Sequence, residues 1–330
     1  MKLINVLDNF DLVNSIIERH GYSPEHNLWW FLYNCDKDSI PYYFSYDETK
    51  GDEQGMLVSY FPKSREYYFF SEVIGKEKDR IRCFMAFVDF AFSNNAKKIC
   101  LEIDEFFREK VLEALKEDKY AKVYRTTKPN AIETSSVWDM KQWNGDLMQG
   151  KEWKDLRNRW NTFFREHKVE FKTADEVSKD EMNDLLMRWK SQRTTGDRTY
   201  LNRYNKMIKA GFKGCKTRFM VVDGKLSAMT AGFKVPTRNL YYSCVGIYDR
   251  DVKNIGEISN MDDLINLKRN GYETVDFGCG GESLSAFKEK FRPTSHYKTY
   301  YFSIVKKEVG EKDNKRDNKK KSSNKTKKKQ

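Results

Sequence analysis

The feature that most constrains the fold of this 330-residue chain is a series of predicted elements that occurs twice. In each half, short strands rich in Tyr, Phe and Val are followed by a long helix with apolar residues at helical spacing, and then by a buried strand. The helix and strand within 81–104 correspond in order to those within 258–278. This repetition favours duplication of one domain type, because strands alternating with helices predict a mixed sheet flanked by helices.

The sequence divides into three predicted segments. Residues 1–150, which begin with a helical region over 1–35, and residues 151–305 each predict an α/β (α+β) domain with a mixed, mostly antiparallel twisted sheet. Residues 306–330 contain twelve Lys or Arg and four Asp or Glu, and therefore hold most of the net charge of +12. This composition predicts a disordered basic tail. Such a tail either attracts nucleic acid or anionic lipid, or only keeps the protein soluble.

The cysteines and histidines favour a reducing compartment and no metal site. The six cysteines are scattered without a CxxC pair, and the four histidines show no metal-binding spacing. No apolar run approaches the roughly 18 residues that span a membrane, and the N-terminus lacks the apolar core of a signal peptide. We therefore expect a cytoplasmic protein without a transmembrane segment.

The segment DFGCGGESLSAFKEKFRPTSHYKTYYFSIV, which begins at residue 276, predicts a binding site. Glycines after a strand let a ligand approach the backbone closely. Cations on the following turn can hold an anion or a developing negative charge. The glycines are Gly278, Gly280 and Gly281, and the cations are Lys288, Lys290 and Arg292. The alternative is that these cations are exposed lysines and arginine beside two core phenylalanines.

Three further residues are candidates for proton transfer or nucleophilic chemistry. Asp276 lies within a strand, where its carboxylate is either a proton acceptor or a structural hydrogen-bond acceptor. Tyr242 is a candidate proton donor among the 19 tyrosines of the chain. Cys279 is a weak candidate nucleophile, because no histidine motif accompanies it.

The predicted helix over 152–166 has a basic face opposite its tryptophans. Residues spaced three or four apart share one face of a helix. This face consists of Lys154, Asn158, Asn161 and Arg165, with Arg157 nearby. Such a face can follow phosphates in an RNA acceptor stem, or it can simply be solvated.

Three segments together resemble a known family. They are WKDLRNRWNTFFREHKVEF (153–171), GEISNMDDLINLKRNGYETVDFG (256–278) and LSAFKEKFRPTSHYKTYYF (284–302). They are similar to the C-terminal catalytic domain of bacterial lysyl-phosphatidylglycerol synthases, and to the wider set of Fem-type aminoacyl transferases. The resemblance extends over roughly residues 40–305.

The resemblance implies two tandem acetyltransferase-like (GNAT) domains, the second of which contains the chemistry. It implies transfer of an aminoacyl group from aminoacyl-tRNA to an amine or hydroxyl acceptor, such as a lipid headgroup or a peptide, without a further cofactor. Transfer RNA is then the expected partner, and the tail is a candidate contact for anionic lipid or DNA. A functional lysine is implied in the segment that contains Lys288. Two strands, at 239–249 and 273–281, are expected to part and expose their backbone.

Two other functions stay open at the level of the sequence. An acyl-CoA-dependent GNAT N-acyltransferase, acting on a modified nucleic acid for instance, would hold acetyl-CoA or acyl-CoA on the loop YDRDVKNIGEIS. The candidate binding residues of this loop are Arg250, Lys253, Asn254 and Gly256. Its single glycine is a degenerate match to the usual Gly-x-Gly pattern, which favours a donor held in another way. A non-catalytic nucleic-acid-binding module is the second alternative.

Overall fold

A computed structural model describes residues 1–46, 54–70, 72–193 and 200–307. Most of the predicted turn at 49–54 and nearly all of the predicted basic tail lie outside these ranges. Within them, no helix is both long and apolar enough to cross a membrane.

The first half of the chain contains seven strands and five helices within the described residues. The strands are β1 (Lys2–Asn5), β2 (Ile40–Ser45), β3 (Gly55–Phe61), β4 (Glu66–Phe69), β5 (Lys98–Asp104), β6 (Tyr124–Thr126) and β7 (Ala131–Asp139). The helices are α1 (Phe10–His20), α2 (Leu28–Asn34), α3 (Glu77–Ser93), α4 (Glu105–Ala114) and α5 (Asp118–Ala121). The prediction of helix throughout residues 1–35 is wrong at the start, because β1 pairs with β2, a strand distant in sequence.

The second half begins with a 3-10 turn at Lys151–Trp153 and continues with helices and strands in the predicted order. Its helices are α6 (Lys154–Glu166), α7 (Lys179–Ser191), α8 (Leu201–Lys209), α9 (Ile255–Arg269) and α10 (Glu282–Lys288). Its strands are β8 (Val169–Lys172), β9 (Lys216–Val222), β10 (Lys225–Lys234), β11 (Leu240–Tyr248), β12 (Thr274–Gly280) and β13 (Ser295–Lys306). A second 3-10 turn at Glu289–Phe291 separates α10 from β13.

All the strands join one mixed sheet, in the order β1-β2-β3-β4-β5-β13-β7-β12-β11-β10-β9-β8, with β6 beside β13. Only the pairs β4/β5 and β11/β12 are parallel; the other strand pairs in the described residues are antiparallel. The last strand, β13, lies between β5 and β7 of the first half. The two expected sheets are therefore continuous at the centre of the molecule. The domain boundary at residue 150 falls between β7 and α6 and stays a prediction.

In each half of the chain, a helix packs its apolar side chains against the sheet. The helix α3 buries Phe84, Phe87 and Val88 in a cluster with side chains of β2 to β5. In the second half, α9 is buried over most of its circumference and packs Met261 and Leu264 near the start of β12. Each such side chain contributes about 1.5–3 kcal/mol when fully removed from water. These two helices fix the parallel strand pairs that they connect.

Candidate functional site

The parallel strands β11 and β12 part after three residue pairs, which confirms the expected separation. They pair at Leu240↔Thr274, Tyr241↔Val275 and Tyr242↔Asp276, and not beyond. The register of β12 against β7 shifts between Asp276 and Cys279. Within this bulge Gly278 has a φ of 65°, a left-handed conformation that favours glycine. The glycine loop is thus the place where β12 leaves its neighbour.

A cavity of about 1850 Å³ opens where the strands part. The glycine loop from Gly278 to Gly281 lines it, together with residues of α2, α7, α8, α10 and the central strands. The predicted loop therefore faces open space. Residues of both halves of the chain form the walls, because β5, β13 and β7 continue the sheet beneath the loop.

Lys288 is the buried cation of the site, with a residue exposure of 4%. Its Nζ donates hydrogen bonds to the carbonyl oxygens of Phe277 (2.9 Å) and Gly278 (2.7 Å), which lie in the bulge of β12. Burial lowers the pKa of this ammonium to about 8, against the opposing charges of nearby acidic groups. An ammonium has three protons, so one remains for a ligand in the cavity. The alternative of an exposed lysine is wrong at this position.

The other two predicted cations of this segment are exposed. Lys290 lines the cavity and its Nζ lies 2.8 Å from the Glu257 carboxylate. Arg292 lies outside the cavity lining, donates to the carbonyl oxygen of Glu152 (3.1 Å) and stacks on Trp153. The structure therefore brings Lys288 and Lys290 to the cavity and places Arg292 elsewhere.

Asp276 acts as a structural acceptor behind the cavity lining. Its Oδ1 accepts the backbone N–H of Gly278 at 2.6 Å, and its Oδ2 accepts the Tyr297 hydroxyl at 2.7 Å. Burial raises the pKa of this carboxyl, while these two hydrogen bonds oppose the rise. The carboxylate thereby fixes the bulge that turns the glycine loop toward the cavity.

The floor of the cavity contains carboxylates that the sequence reasoning missed. Glu102 of β5 and Glu133 of β7 flank Tyr301 of β13, whose hydroxyl lies 2.9 Å and 3.2 Å from their carboxylate oxygens. The Cys279 sulfur is 3.4 Å from the same hydroxyl. Burial raises the pKa of the Cys279 thiol well above its usual value, which argues against a thiolate nucleophile. The available signal was weak: Glu102 interrupts the largely apolar strand KICLEID, whereas Glu133 lies in AIETSSVWD among several other polar residues.

A third carboxylate, Glu25, precedes α2 and also lines the cavity. It accepts the indole N–H of Trp30 at 2.7 Å. Burial, together with the negative charge of Glu102, raises the pKa of this carboxyl to about 8. An interaction with the Tyr242 hydroxyl opposes this rise of the Glu25 pKa, and a Cβ at Gly278 would lie 2.8 Å from the same hydroxyl. This arrangement brings the predicted Tyr242 beside an acid/base group from the other half of the chain.

The loop between β11 and α9 differs from an open anion-binding loop. Asn254 precedes the helix with a left-handed φ of 64°. The Tyr248 ring lies directly against Gly256, so close that a Cβ there would be 2.8 Å from it. Arg250 donates to the backbone oxygen of Gln192 (2.9 Å). Arg250, Asn254 and Gly256 line the cavity and Lys253 does not. An aromatic ring therefore packs against the second residue of α9.

The predicted basic face of α6 is exposed but does not line the cavity. Lys154, Asn158 and Arg165 are exposed, as an amphipathic helix requires. Arg157 is half-buried and donates to the backbone oxygens of Met148 and Gly150. The structure thus gives Arg157 a role in holding the preceding loop.

Substituting Gly278 with alanine is expected to destabilise the protein, while the same change at Gly281 is not. A Cβ at Gly278 would lie 2.8 Å from the Tyr242 hydroxyl, and the left-handed backbone costs a further 1–2 kcal/mol, roughly. A Cβ at Gly281 meets no atom within 4 Å, and its φ of −66° suits any residue. Denaturant unfolding of both variants measures the difference. Equal losses would contradict the assigned conformation.

The parted parallel strands and the doubled order of elements are those of tandem GNAT-like folds. A tandem GNAT protein from the clavulanic acid biosynthesis pathway shares this architecture, with a TM-score of 0.53 and 9% identity over 92% of this chain and 98% of that one. Residues 21–302 match the family described as phosphatidylglycerol lysyltransferase, C-terminal, and the chain belongs to this family. Both the predicted fold class and the resemblance are confirmed.

Two other solved structures share the same fold. L-PGS from Bacillus licheniformis has a TM-score of 0.63 and 15% identity, covering 90% of this chain and 92% of that one. FemX has a TM-score of 0.59 and 8% identity, covering 90% and 97%. No curated protein gives a significant match to the sequence. The matched family is one of transferases, and the shared fold contains the cavity described above.

Proposed function

We propose that this protein transfers an aminoacyl group from aminoacyl-tRNA to an amine or hydroxyl acceptor. One observation supports this donor above the others: the cavity combines a wall that contains the cations Arg193, Arg203, Lys206 and Lys209 with a floor of glutamates. An aminoacyl-tRNA is a polyanion that ends in a cation, because the α-amino group of its ester is largely protonated near neutral pH. Cations on the wall suit the phosphates, and the floor carboxylates suit the ammonium.

The acidic floor is formed by Glu25, Glu102 and Glu133, which all line the cavity. Glu102 lies in β5, Glu133 in β7 and Glu25 just before α2, and they lie beside Tyr301 and Tyr242. The carboxylates of Glu102 and Glu133 can give an ammonium group charge-assisted hydrogen bonds in this low-dielectric site, while Glu25, whose pKa is raised to about 8, is left for proton transfer. The acyl end of a coenzyme A thioester such as acetyl-CoA has no such cation, so the floor favours the aminoacyl donor.

The chemistry follows from the positions of Lys288 and Glu25. The acceptor nitrogen or oxygen attacks the ester carbonyl carbon, and the third N–H of Lys288 stabilises the developing oxyanion. Glu25 accepts the acceptor's proton, directly or through the Tyr242 hydroxyl. The bond from the carbonyl carbon to the ribose oxygen then breaks, and the leaving oxygen takes up the proton that Glu25 accepted, which restores the Glu25 carboxylate. A new amide or ester on the acceptor is the product.

An acyl-CoA donor is the second candidate, and the loop before α9 argues against it. The Tyr248 ring lies against Gly256, where a pyrophosphate would approach the first backbone N–H groups of the helix. The acceptor, the cytoplasmic location and the contacts of the basic tail with lipid or DNA stay predictions from the sequence.

Ligand stabilisation and a transfer assay distinguish the two donors. We expect an aminoacylated RNA minihelix to raise the unfolding temperature, with about 2.7 kcal/mol of stabilisation at a hundred times its dissociation constant. Coenzyme A at the same multiple of a typical GNAT affinity is expected to have no effect. In parallel, label is expected to pass from aminoacyl-tRNA to a component of a cell extract. Stabilisation by coenzyme A alone, without transfer of label, would refute the proposal.

A further inference from the structure

We propose that the polar face of α8 binds the phosphodiester backbone of a single-stranded RNA 3′ end, and that the exposed ring of Tyr200 stacks on one of its bases. This inference rests on the proposed function, because it locates the donor RNA within the same cavity. It differs from the prediction made from the sequence, in which the basic face of α6 binds the RNA.

The helix α8 presents donors to the cavity at regular helical spacing. Asn202, Asn205, Lys206 and Lys209 line the cavity at positions i, i+3, i+4 and i+7. Such positions share one face of a helix. The opposite face buries Met207 and Ile208 in the core of the second half. The core therefore fixes the orientation of α8 and leaves its amides and ammonium groups toward the cavity.

Between Trp189 and the end of α8, every described residue that lines the cavity and carries a charge is a cation. These cations are Arg193, Arg203, Lys206 and Lys209. Lys209 is exposed, and no described carboxylate forms an ion pair with it. Lys206 donates to the backbone oxygen of Cys35, which ties α8 to the end of α2. A row of cations on a fixed helix attracts a polyanion, and this attraction depends on salt.

Aromatic rings alternate with these cations, which favours single-stranded nucleic acid. The Arg203 guanidinium carbon lies 4.3 Å from the centre of the Tyr200 ring and 4.7 Å from that of Trp30. Its Nε is buried and has no hydrogen-bond partner in the described part of the chain. Tyr200 is 44% exposed at the cavity, so its ring offers area for a base. Stacking rings beside a basic groove are typical of single-strand binding.

The concave shape of this surface favours RNA over a membrane as its ligand. The α8 face is one wall of a concave cavity, whereas a bilayer presents a broad surface that meets exposed, convex residues. A flexible RNA end can enter the cavity and bring its terminal ester to Lys288, which lines the same space. The α6 cations have no such path, because none of them lines the cavity.

Salt-dependent binding of a short single-stranded RNA ending in CCA tests the inference with matched variants. The test variant is Lys206→Gln with Lys209→Gln, in which glutamine at 206 keeps a donor for Cys35. The control is Lys154→Gln with Arg165→Gln on α6, which removes the same charge. The slope of log affinity against log salt is expected to become shallower by about 1.4 in the test variant, at about 0.7 for each lost phosphate contact, and to stay unchanged in the control.

A third variant tests the stacking ring. Tyr200→Ala is expected to weaken RNA binding about tenfold without changing the salt slope, because a base loses its stacking surface and no phosphate contact is lost. Unfolding curves of all the variants check that each protein is folded.

Three outcomes would overturn the inference. A slope that changes in the α6 control and not in the α8 variant, with transfer intact, would refute the α8 site and leave the proposed function standing. Loss of binding to anionic phospholipid vesicles in the α8 variant, with RNA binding unchanged, would assign the face to lipid. Absence of both RNA binding and transfer from aminoacyl-tRNA in the wild-type protein would refute the proposed function as well.

Discussion

Replacing Lys288 with methionine is expected to lower the rate of aminoacyl transfer about 10²- to 10³-fold, the loss usual for an oxyanion-stabilising donor. The reason is the position of this residue, which is 4% exposed and lines the cavity, while its ammonium donates hydrogen bonds to two carbonyl oxygens of the β12 bulge. Methionine has a similar length and fills the same space, so packing is largely preserved. Single-turnover transfer from labelled aminoacyl-tRNA measures the effect.

Lys290→Met is the matched control for this prediction. Lys290 lies two residues away, lines the same cavity and is exposed, with an ion pair to Glu257. Exposed ion pairs contribute little, so its loss is expected to change the rate by less than about threefold. The unfolding free energy of Lys288→Met, compared with that of the wild type, shows how much the two hydrogen bonds of Lys288 stabilise the bulge. Equal rates for the wild type and a folded Lys288→Met protein would show that Lys288 has only a structural role.

Replacing Glu25 with glutamine is expected to lower transfer about 10²- to 10⁴-fold, the usual contribution of a general base. Its raised pKa, about 8, lies near neutral pH, and a general base is most effective when its pKa is near the pH of the reaction. The control is Glu282→Gln, because Glu282 also lines the cavity and is exposed. A control that loses as much activity as Glu25→Gln would contradict a specific role for Glu25.

The pH profile separates the two groups. Glu25 must be ionised to accept a proton, so transfer rises as the pH increases toward about 8. Lys288 must be protonated to stabilise the oxyanion, so transfer falls as the pH rises beyond about 8. The wild-type profile is therefore expected to be a bell with its maximum near pH 8. In Glu25→Gln, the rise of the transfer rate on the acid side of the profile is expected to disappear. In Lys288→Arg, whose side chain stays charged, the fall of the rate on the alkaline side is expected to disappear. A profile unchanged by both variants would refute the assignment.

The proposed donor and chemistry depend on residues that differ in how visible they were in the sequence. The glycine loop and Lys288 belong to one continuous segment, and local patterns describe such segments well. Asp276 was visible too, and its structural role was the alternative already open. Glu25, Glu102 and Glu133 gave only weak signals, because nothing local shows which face of the sheet a glutamate occupies or what lies opposite.

The sequence by itself determined the doubled series of elements and the segment that contains Lys288, because these features depend on side-chain period and backbone conformation over a few residues. The parting of β11 and β12 was expected only from the family resemblance. Only the tertiary structure decided that β13 enters between β5 and β7, and that α8 rather than α6 forms a cavity wall. The physical reason is that strand order and helix docking depend on contacts between residues far apart in the chain. The cavity exists because those contacts make one sheet from two halves.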